Sequence, residues 1–246
     1  MRLYFIALQF LTIIPLPFAV RCEERDLGRS MALFPLVGLT LGGLLAGADF
    51  ILGQLFPRQV SDLLLIVLLS AVTGALHLDG LADVCDGLAA RGGRERFLTV
   101  MKDPHTGAVG VVGLVLALLL KYEALLTIPV ELKREALILF PVVARFSQVL
   151  MAAGAQRARE DGLGALFVGG AGTIQFGAAA LLTLAAAAFL MGVKGVCCVL
   201  AAGLLTWGGR RWAHRRLGGV TGDLIGCVSE VNEIGCLLVI IALAAR

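Results

Sequence analysis

The fold is indicated first by the stretch Gly172-Thr-Ile-Gln-Phe-Gly-Ala-Ala-Ala-Leu-Leu-Thr-Leu-Ala-Ala-Ala-Ala-Phe-Leu-Met-Gly-Val193, which contains no charged side chain. As an α-helix with a rise of 1.5 Å per residue, it is long enough to cross a hydrocarbon layer of roughly 30 Å. Several other apolar runs of similar length occur along the chain. The sequence therefore predicts a bundle of transmembrane helices.

The composition agrees with this prediction. Hydrophobic residues make up 59% of the chain and charged residues 16%, and the mean hydropathy is +0.91, whereas soluble domains have roughly 45–50% and 25%. The 31 glycines allow close packing of helix backbones, and alternating polar and apolar stretches typical of a β-barrel are few. A net charge of +3 is too small for nucleic-acid binding. We expect a single all-α integral-membrane domain over residues 1–246.

The chain divides into eight predicted spans, with seven as the alternative because the seventh is short. The first span is read as retained, because no small-residue cleavage site follows it. The predicted spans are Leu3–Val20, Met31–Phe56, Asp62–Leu78, Gly107–Ile128, Glu135–Gly154, Gly172–Val193, Gly195–Gly208 and Leu224–Ala245.

The distribution of positive charge predicts an orientation. In the eight-span topology thirteen of the 21 Lys and Arg residues fall on one side of the membrane and six on the other. Because basic residues accumulate on the cytoplasmic side, the richer side is predicted to be cytoplasmic. That side carries the predicted active-site loops 79–106, 155–171 and 209–223.

An acidic run, His77-Leu-Asp-Gly-Leu-Ala-Asp-Val-Cys-Asp-Gly87, follows the third predicted span. On a helix Asp83 and Asp86 would lie about 40° and 20° to either side of Asp79, so all three share a face. Converging carboxylates repel one another unless cations lie between them, and oxygen ligands suit Mg²⁺. We predict a magnesium site here. The alternative is a solvated helix face, which is less favourable beside an apolar span.

A second polar segment, Met101-Lys-Asp-Pro-His-Thr-Gly107, closes the loop that the aspartates open. It leads into Gly107-Ala-Val-Gly-Val-Val-Gly113, whose first backbone N–H groups are predicted to donate hydrogen bonds to phosphate oxygens, with helix packing as the alternative. Together with Asp83 of the acidic run, Lys102 and Asp103 are candidate catalytic residues, and Lys102 is also a candidate phosphate contact. His77 and His105 flank this region and are candidate substrate contacts.

The final span carries a third group of polar residues. Gly218-Gly-Val-Thr-Gly-Asp223 resembles a phosphate-cradling turn, and Asp223, Glu230 and Glu233 share one helix face. We predict that Asp223 binds metal and that Thr221, Glu230 and Glu233 contact substrate, the glutamates completing a second metal position. The alternative is an acidic helix N-terminus favoured by the helix dipole.

Arg145 stands inside an apolar span, where an ionisable side chain points to function. It is predicted to pair with a substrate phosphate, and a structural ion pair is the competing interpretation. Clustered carboxylates with Mg²⁺, basic residues and a Gly-rich turn together indicate phosphoryl transfer without a covalent intermediate.

The acidic run, the Met101–Gly110 segment, Gly162-Leu-Gly164, and Gly219 through Glu233 together resemble the cobalamin synthase family, also called the adenosylcobinamide-GDP ribazoletransferases. The resemblance spans nearly the whole chain. It implies that adenosylcobinamide-GDP is joined to α-ribazole or its 5′-phosphate, giving adenosylcobalamin or its phosphate and releasing GMP. It also implies a Mg²⁺ cofactor, contact with membrane lipid and a place in a prokaryotic cytoplasmic (inner) membrane. Whether the protein forms a homo-oligomer stays open.

The resemblance assigns Asp79, Asp83 and Asp86 to the family's acidic run. One position departs from the family, because Pro104-His105 stands where Ser-Arg usually follows the Lys-Asp pair. His105 therefore offers a hydrogen bond in place of a guanidinium.

Two other interpretations differ in class. CDP-alcohol phosphotransferases also use membrane-embedded aspartates, but their signature requires an Arg where this chain has Asp83. An ion-coupled transporter would explain intramembrane carboxylates and a Gly-broken helix, but it would favour inverted repeats, and the sequence has none that we detect.

Overall fold

The computed structural model describes residues 1–159 and 163–245, and within these ranges the chain is helical, with one isolated bridge between Arg157 and Val220 and no strand. The helices are α1 (Arg2–Leu11), α2 (Glu24–Ser30), α3 (Phe34–Leu55), α4 (Arg58–Val72), α5 (Leu76–Ala89), α6 (Arg94–Val100), α7 (Ala108–Thr127), α8 (Val130–Ala152), α9 (Leu163–Gly170), α10 (Thr173–Leu217) and α11 (Gly222–Ala244).

Helix α8 forms the centre of the bundle and packs against α3, α10 and α11. Its contact with α3 is backbone to backbone. A Cβ atom on Gly38 would lie 2.7 Å from the Pro141 carbonyl oxygen, and one on Gly42 would lie 2.6 Å from Ile138 Cα. The Gly38-x-x-x-Gly42 spacing thus lets the two helices approach as small residues do in membrane bundles.

Large apolar side chains cover the outward faces of α7 and α10. Leu116 and Leu119 on α7 and Leu181 and Phe189 on α10 are all exposed, Phe189 by 90%. Exposed apolar surface on this scale is stable against lipid and not against water. The predicted helical membrane bundle is confirmed.

The number of spans differs from the prediction. Among the described residues five helices are long and apolar enough to cross a membrane, and a bent pair of helices raises this number to six. Helix α10 is broken at Gly192, which has non-helical dihedral angles. A Cβ atom on Gly195 would lie 2.1 Å from the Ala187 carbonyl oxygen, although eight residues of straight helix cover about 12 Å. The chain therefore folds back at Gly192, and the two arms correspond to the sixth and seventh predicted spans.

The first predicted span, Leu3–Val20, is wrong. Helix α1 ends at Leu11 and covers about 15 Å, half of the hydrocarbon thickness. Pro15 and Pro17 cannot continue a helix, because proline lacks the backbone N–H and its ring clashes with the preceding turn. Residues 12–20 therefore do not extend α1 into a membrane-crossing helix.

The third predicted span, Asp62–Leu78, is broken. Helix α4 ends at Val72, and α5 leaves it at an angle of 89°. Gly74 and Ala75 make the turn with φ angles of +60° and +54°. Alanine in this left-handed region costs about 1 kcal/mol, and the result is that α5 runs across the end of the bundle.

Three connecting segments meet at the end of the bundle that we call the loop end, defined by residues 90–107, 153–159 and 218–221. Arg94 donates hydrogen bonds to the Leu217 and Ala158 carbonyl oxygens at 2.6 and 2.7 Å, and Val220 and Ala158 are joined through their backbones. Arg2 pairs with Asp26 at the same end, so α1 lies there as well.

Candidate active site

A cleft of about 260 Å³ opens at the loop end, between α5, α9 and the start of α11. Its mouth is charged, with Asp79, Asp223 and Arg159, whereas one wall is apolar. The apolar wall is formed by Phe10, Met31, Phe34 and Phe167. The cleft therefore offers a charged mouth to a ligand, whereas Phe34 and Phe167 in its wall are buried in the core.

Glycines bring the three helices together around the cleft. A Cβ atom on Gly80 would lie 2.7 Å from the Asp223 carbonyl oxygen, and one on Gly164 would lie 2.4 Å from Gly222 Cα. Close packing of helices therefore explains the glycines in two motifs of the sequence. Gly162, in the same motif as Gly164, lies outside the described residues.

One aspartate of the acidic run lines the cleft, and a second lies next to it on α5. Asp79 is exposed at the mouth of the cleft, and Asp83 is half-buried one turn further along α5. Neither carboxylate has a hydrogen-bond partner in the described part of the chain. Asp223 and Asp79 both act electrostatically on Asp83, so this end of α5 carries concentrated negative charge.

Asp223 already has a cationic partner. Its carboxylate accepts a hydrogen bond from the guanidinium of Arg159, and both side chains are about four-fifths buried. The sequence prediction missed Arg159. The signal was its place in the predicted active-site loop 155–171.

Asp86 serves a different purpose from its two neighbours. It accepts hydrogen bonds from the backbone N–H groups of Gly107 and Gly110 at 2.7 and 2.8 Å. These are the helix-initial groups of α7 that we predicted to hold phosphate. The structure corrects that prediction, because a carboxylate of the chain itself satisfies them and its charge complements the helix dipole.

Glu230 and Glu233 do not join the acidic site. Both are buried and receive hydrogen bonds from Lys121 at 2.7 and 2.6 Å, and Glu233 also pairs with Arg145 at 3.1 Å. Glu230 lies two helical turns, roughly 10 Å, from Asp223. The predicted second metal position is therefore not formed.

Arg145 is fully buried, and its guanidinium donates to Ser229 and Glu233. The structural ion pair, which was the competing interpretation, is the arrangement found here. Lys121, not among the predicted site residues, balances the second glutamate. Two cations and two anions thus neutralise one another inside the bundle, as burial of charge requires.

The Lys102-Asp103 loop lies outside the cleft. Asp103 and His105 are exposed, and the Asp103 carboxylate accepts hydrogen bonds from the His105 backbone N–H and ring Nδ1 at 3.0 and 2.8 Å. These bonds lower the pKa of the Asp103 carboxyl. Lys102 is likewise exposed. The structure therefore does not bring these predicted catalytic and substrate residues to the aspartates.

Two further predicted contacts line the cleft. Thr221 is the N-cap residue of α11, and its hydroxyl accepts a hydrogen bond from the Leu224 backbone N–H at 3.3 Å. His77 is 3% exposed, and its Nδ1 atom has no hydrogen-bond partner in the described chain.

The donor atoms near the cleft limit how a metal ion could be held. In the ranges that the structure describes, no three His, Cys, Asp or Glu side chains are grouped as a metal cage. Mg²⁺, however, is commonly held by one or two carboxylates together with water and substrate phosphates. Asp79 and Asp83 fit that pattern, whereas Asp86 and Asp223 are already bound within the chain.

The fold and the cleft together define a class: helical membrane proteins with a carboxylate-rich cleft at one end of the bundle. A family model described as cobalamin-5-phosphate synthase matches residues 3–241. The chain is 62% identical to the adenosylcobinamide-GDP ribazoletransferase of Geotalea daltonii, over 100% of this chain and 99% of that one. Corresponding proteins of Pseudomonas fluorescens and Acetivibrio thermocellus are 38% and 34% identical, covering 96% and 91% of this chain and 97% and 91% of theirs. The chain belongs to the cobalamin-5-phosphate synthase family.

No solved structure matches the chain. Membership of the family also sets aside the CDP-alcohol phosphotransferase and transporter interpretations.

Proposed function

We propose that this protein joins adenosylcobinamide-GDP to α-ribazole, or to its 5′-phosphate, and releases GMP. Family membership supports the reaction. The observation that carries the site assignment is the cleft at the loop end, where Asp79 and Arg159 stand at the mouth of an aromatic-walled cavity. A phosphate-bearing group would be accommodated at this mouth, beside the guanidinium of Arg159.

The reaction is a displacement at phosphorus. A ribose hydroxyl of α-ribazole attacks the phosphorus that bears the corrinoid, the bond between this phosphorus and the bridging oxygen breaks, and GMP leaves with the electron pair. A carboxylate of α5 receives the hydroxyl proton. The corrinoid phosphodiester and GMP are the two products, so the chain itself forms no covalent intermediate.

The side chains at the mouth of the cleft have separate roles in this reaction. Asp79 and Asp83 would hold Mg²⁺ together with the diphosphate, and the bound ion would supply neutralisation of phosphate charge. Arg159, oriented by Asp223, presents guanidinium N–H groups of the kind that bind phosphate oxygens. The loop that carries Lys102, Asp103 and His105 is exposed. These side chains would contact the corrinoid if it covers that loop.

We place the protein in a prokaryotic inner membrane, with the loop end facing the cytoplasm. The support is the basic residues at that end, among them Arg2, Arg94 and Arg159, since positive charge is retained on the cytoplasmic side. Nucleotide substrates are also cytoplasmic, and the outward apolar faces would contact lipid.

Purified protein in lipid nanodiscs, supplied with Mg²⁺, adenosylcobinamide-GDP and α-ribazole, is expected to release one GMP for each corrinoid joined. Omission of α-ribazole should stop GMP release, which separates a transferase from a hydrolase. Asp83→Asn should lose turnover while remaining folded, and Glu95→Gln, an exposed carboxylate at the same end, should not. A folded wild-type protein that releases no GMP would overturn the proposal.

A further inference from the structure

We infer that the second arm of α10, residues 193–217, binds an anionic phospholipid along one exposed face, with the lipid phosphate at two arginines. We call this face the α10 stripe, and it consists of Leu200, Leu204, Trp207, Arg211 and Arg215. None of these residues lines the cleft, so the lipid site is separate from the site described above.

The five side chains of the α10 stripe share one side of the helix. At about 100° of rotation per residue, the other four lie within roughly 80° of Trp207, all in the same direction around the axis. All five are exposed, Leu204 by 71% and Trp207 by 60%. Along the helix the exposed face therefore changes from aliphatic to aromatic and then to cationic.

This order of side chains matches the depth profile of a bilayer. Counted from the break at Gly192, Trp207, Arg211 and Arg215 lie about 22, 28 and 34 Å along the arm, and the hydrocarbon layer is roughly 30 Å thick. Tryptophan is enriched at the boundary between hydrocarbon and headgroups. The leucines thus face an acyl chain, and the two guanidinium groups reach the level of the lipid phosphate.

The charge at this end of α10 is uncompensated. Four arginines lie within residues 210–216, and α10 contains no Asp or Glu from Thr173 to Leu217. Arg211 and Arg215 are exposed, and in the part of the chain that the structure describes neither one pairs with a carboxylate. Basic clusters directly beside a membrane span attract anionic lipid headgroups. A zwitterionic headgroup would not supply the missing negative charge.

The two arginines at the start of this cluster have different roles. Arg210 donates hydrogen bonds to two carbonyl oxygens at the end of α8, at 2.9 and 2.8 Å, and so serves helix packing. Arg211 instead lies over the Trp207 ring, with its guanidinium carbon 5.8 Å from the ring centroid. This cation–π contact holds the guanidinium beside the apolar part of the stripe. Its N–H groups can then donate to phosphate oxygens.

Trp207 makes lipid contact measurable, because the chain has two tryptophans and Trp212→Phe leaves Trp207 as the one indole emitter. The full chain with this substitution is placed in phosphatidylcholine nanodiscs that contain a small fraction of acyl-brominated phosphatidylglycerol. The reference nanodiscs contain the same fraction of acyl-brominated phosphatidylcholine. Because each arginine near the headgroups contributes roughly fivefold, quenching should show that phosphatidylglycerol binds roughly tenfold or more tightly than phosphatidylcholine.

Variants of the arginines test which charges select the lipid. Arg211→Gln and Arg215→Gln should each lower the preference for phosphatidylglycerol roughly fivefold, and high salt should lower it because exposed charges are screened. Arg211→Lys keeps the charge and should keep most of the preference. Arg216→Gln removes the same charge from an exposed position about 180° away from Trp207 and should keep the preference within about twofold.

Quenching by brominated phosphatidylcholine should be the same in every variant, which shows that α10 still meets lipid. Equal quenching of the parent protein by the two lipids would overturn the inference, because the stripe would then contact lipid without selecting charge. A preference that survives loss of both Arg211 and Arg215, or falls equally in Arg216→Gln, would also overturn it. If neither lipid quenches Trp207, protein such as a second copy of the chain covers this face, and the lipid assignment is wrong.

Discussion

The three aspartates of the acidic run have different surroundings, although the sequence presents them as one set. Their spacing predicted a shared helix face, and α5 does form over all three. Spacing does not reveal, however, which distant backbone a carboxylate will meet. Asp86 meets the start of α7 and is used as a cap, while Asp79 and Asp83 keep their oxygens available.

Asp86→Ala is therefore expected to destabilise the protein by about 1–2 kcal/mol, because two helix-initial N–H groups lose their acceptor. Asp83→Ala should have a smaller effect on stability and a larger one on turnover. Thermal unfolding in detergent, followed by size-exclusion fluorescence, measures the difference. Equal unfolding temperatures for the two variants would contradict the capping role.

Glu233 and Arg145 illustrate the same limit of sequence reasoning at a buried position. Intramembrane charge correctly marked both residues as unusual, but the sequence could not show that Lys121 comes to the same place. With that partner present, the charges neutralise one another and the group stabilises the bundle.

Lys121→Met should leave Glu230 and Glu233 without their shared cation and cost about 3–5 kcal/mol. The double variant Lys121→Met with Glu230→Gln removes one charge of each sign and should recover part of that loss. Thermal unfolding of the wild type, single and double variants measures it. A double variant less stable than the single would refute the ion-pair account.

At the scale of elements, apolar length predicted the positions of α3, α7, α8 and α11 well, since nothing competes with a helix in lipid. It failed where local breakers act. Pro15 and Pro17 end α1, and the turn at Gly74 and Ala75 redirects α5. The mean hydropathy of a window does not register a proline or a turn within it. The predicted spans therefore did not reveal the cleft, which depends on α5 crossing the end of the bundle.

The glycines of α3 give a matched test of helix packing. Gly42→Ala would place a Cβ atom 2.6 Å from the Ile138 backbone, whereas Gly43→Ala meets nothing within 4 Å. Overpacking should cost about 1–3 kcal/mol at Gly42, while Gly43→Ala should be neutral or slightly stabilising. Unfolding temperatures of the two variants decide it, and similar values would argue against the close α3–α8 contact.

At the scale of the whole molecule, the charge count assigned to one side of the membrane the loops that meet at the loop end. It did so although the predicted number of spans was too high. Without the first predicted span, only the N-terminus moves to the other side of the membrane. Arg2 then lies at the loop end, where it pairs with Asp26. A reporter at the N-terminus and one at Gly92 should give the same cytoplasmic reading, with a C-terminal reporter on the opposite side. An N-terminal reading opposite to that of Gly92 would restore the eight-span topology.

If the acidic end of α5 binds Mg²⁺ for displacement of GMP, single-turnover release of GMP must depend on Mg²⁺, and this dependence can be measured. The wild type should release no GMP in EDTA and regain full release as Mg²⁺ is added. Asp79→Asn and Asp83→Asn should need much more Mg²⁺ or stay inactive, while Asp103→Asn should keep the wild-type dependence on Mg²⁺. Release in EDTA, or a wild-type Mg²⁺ dependence in both Asp79→Asn and Asp83→Asn, would contradict the account.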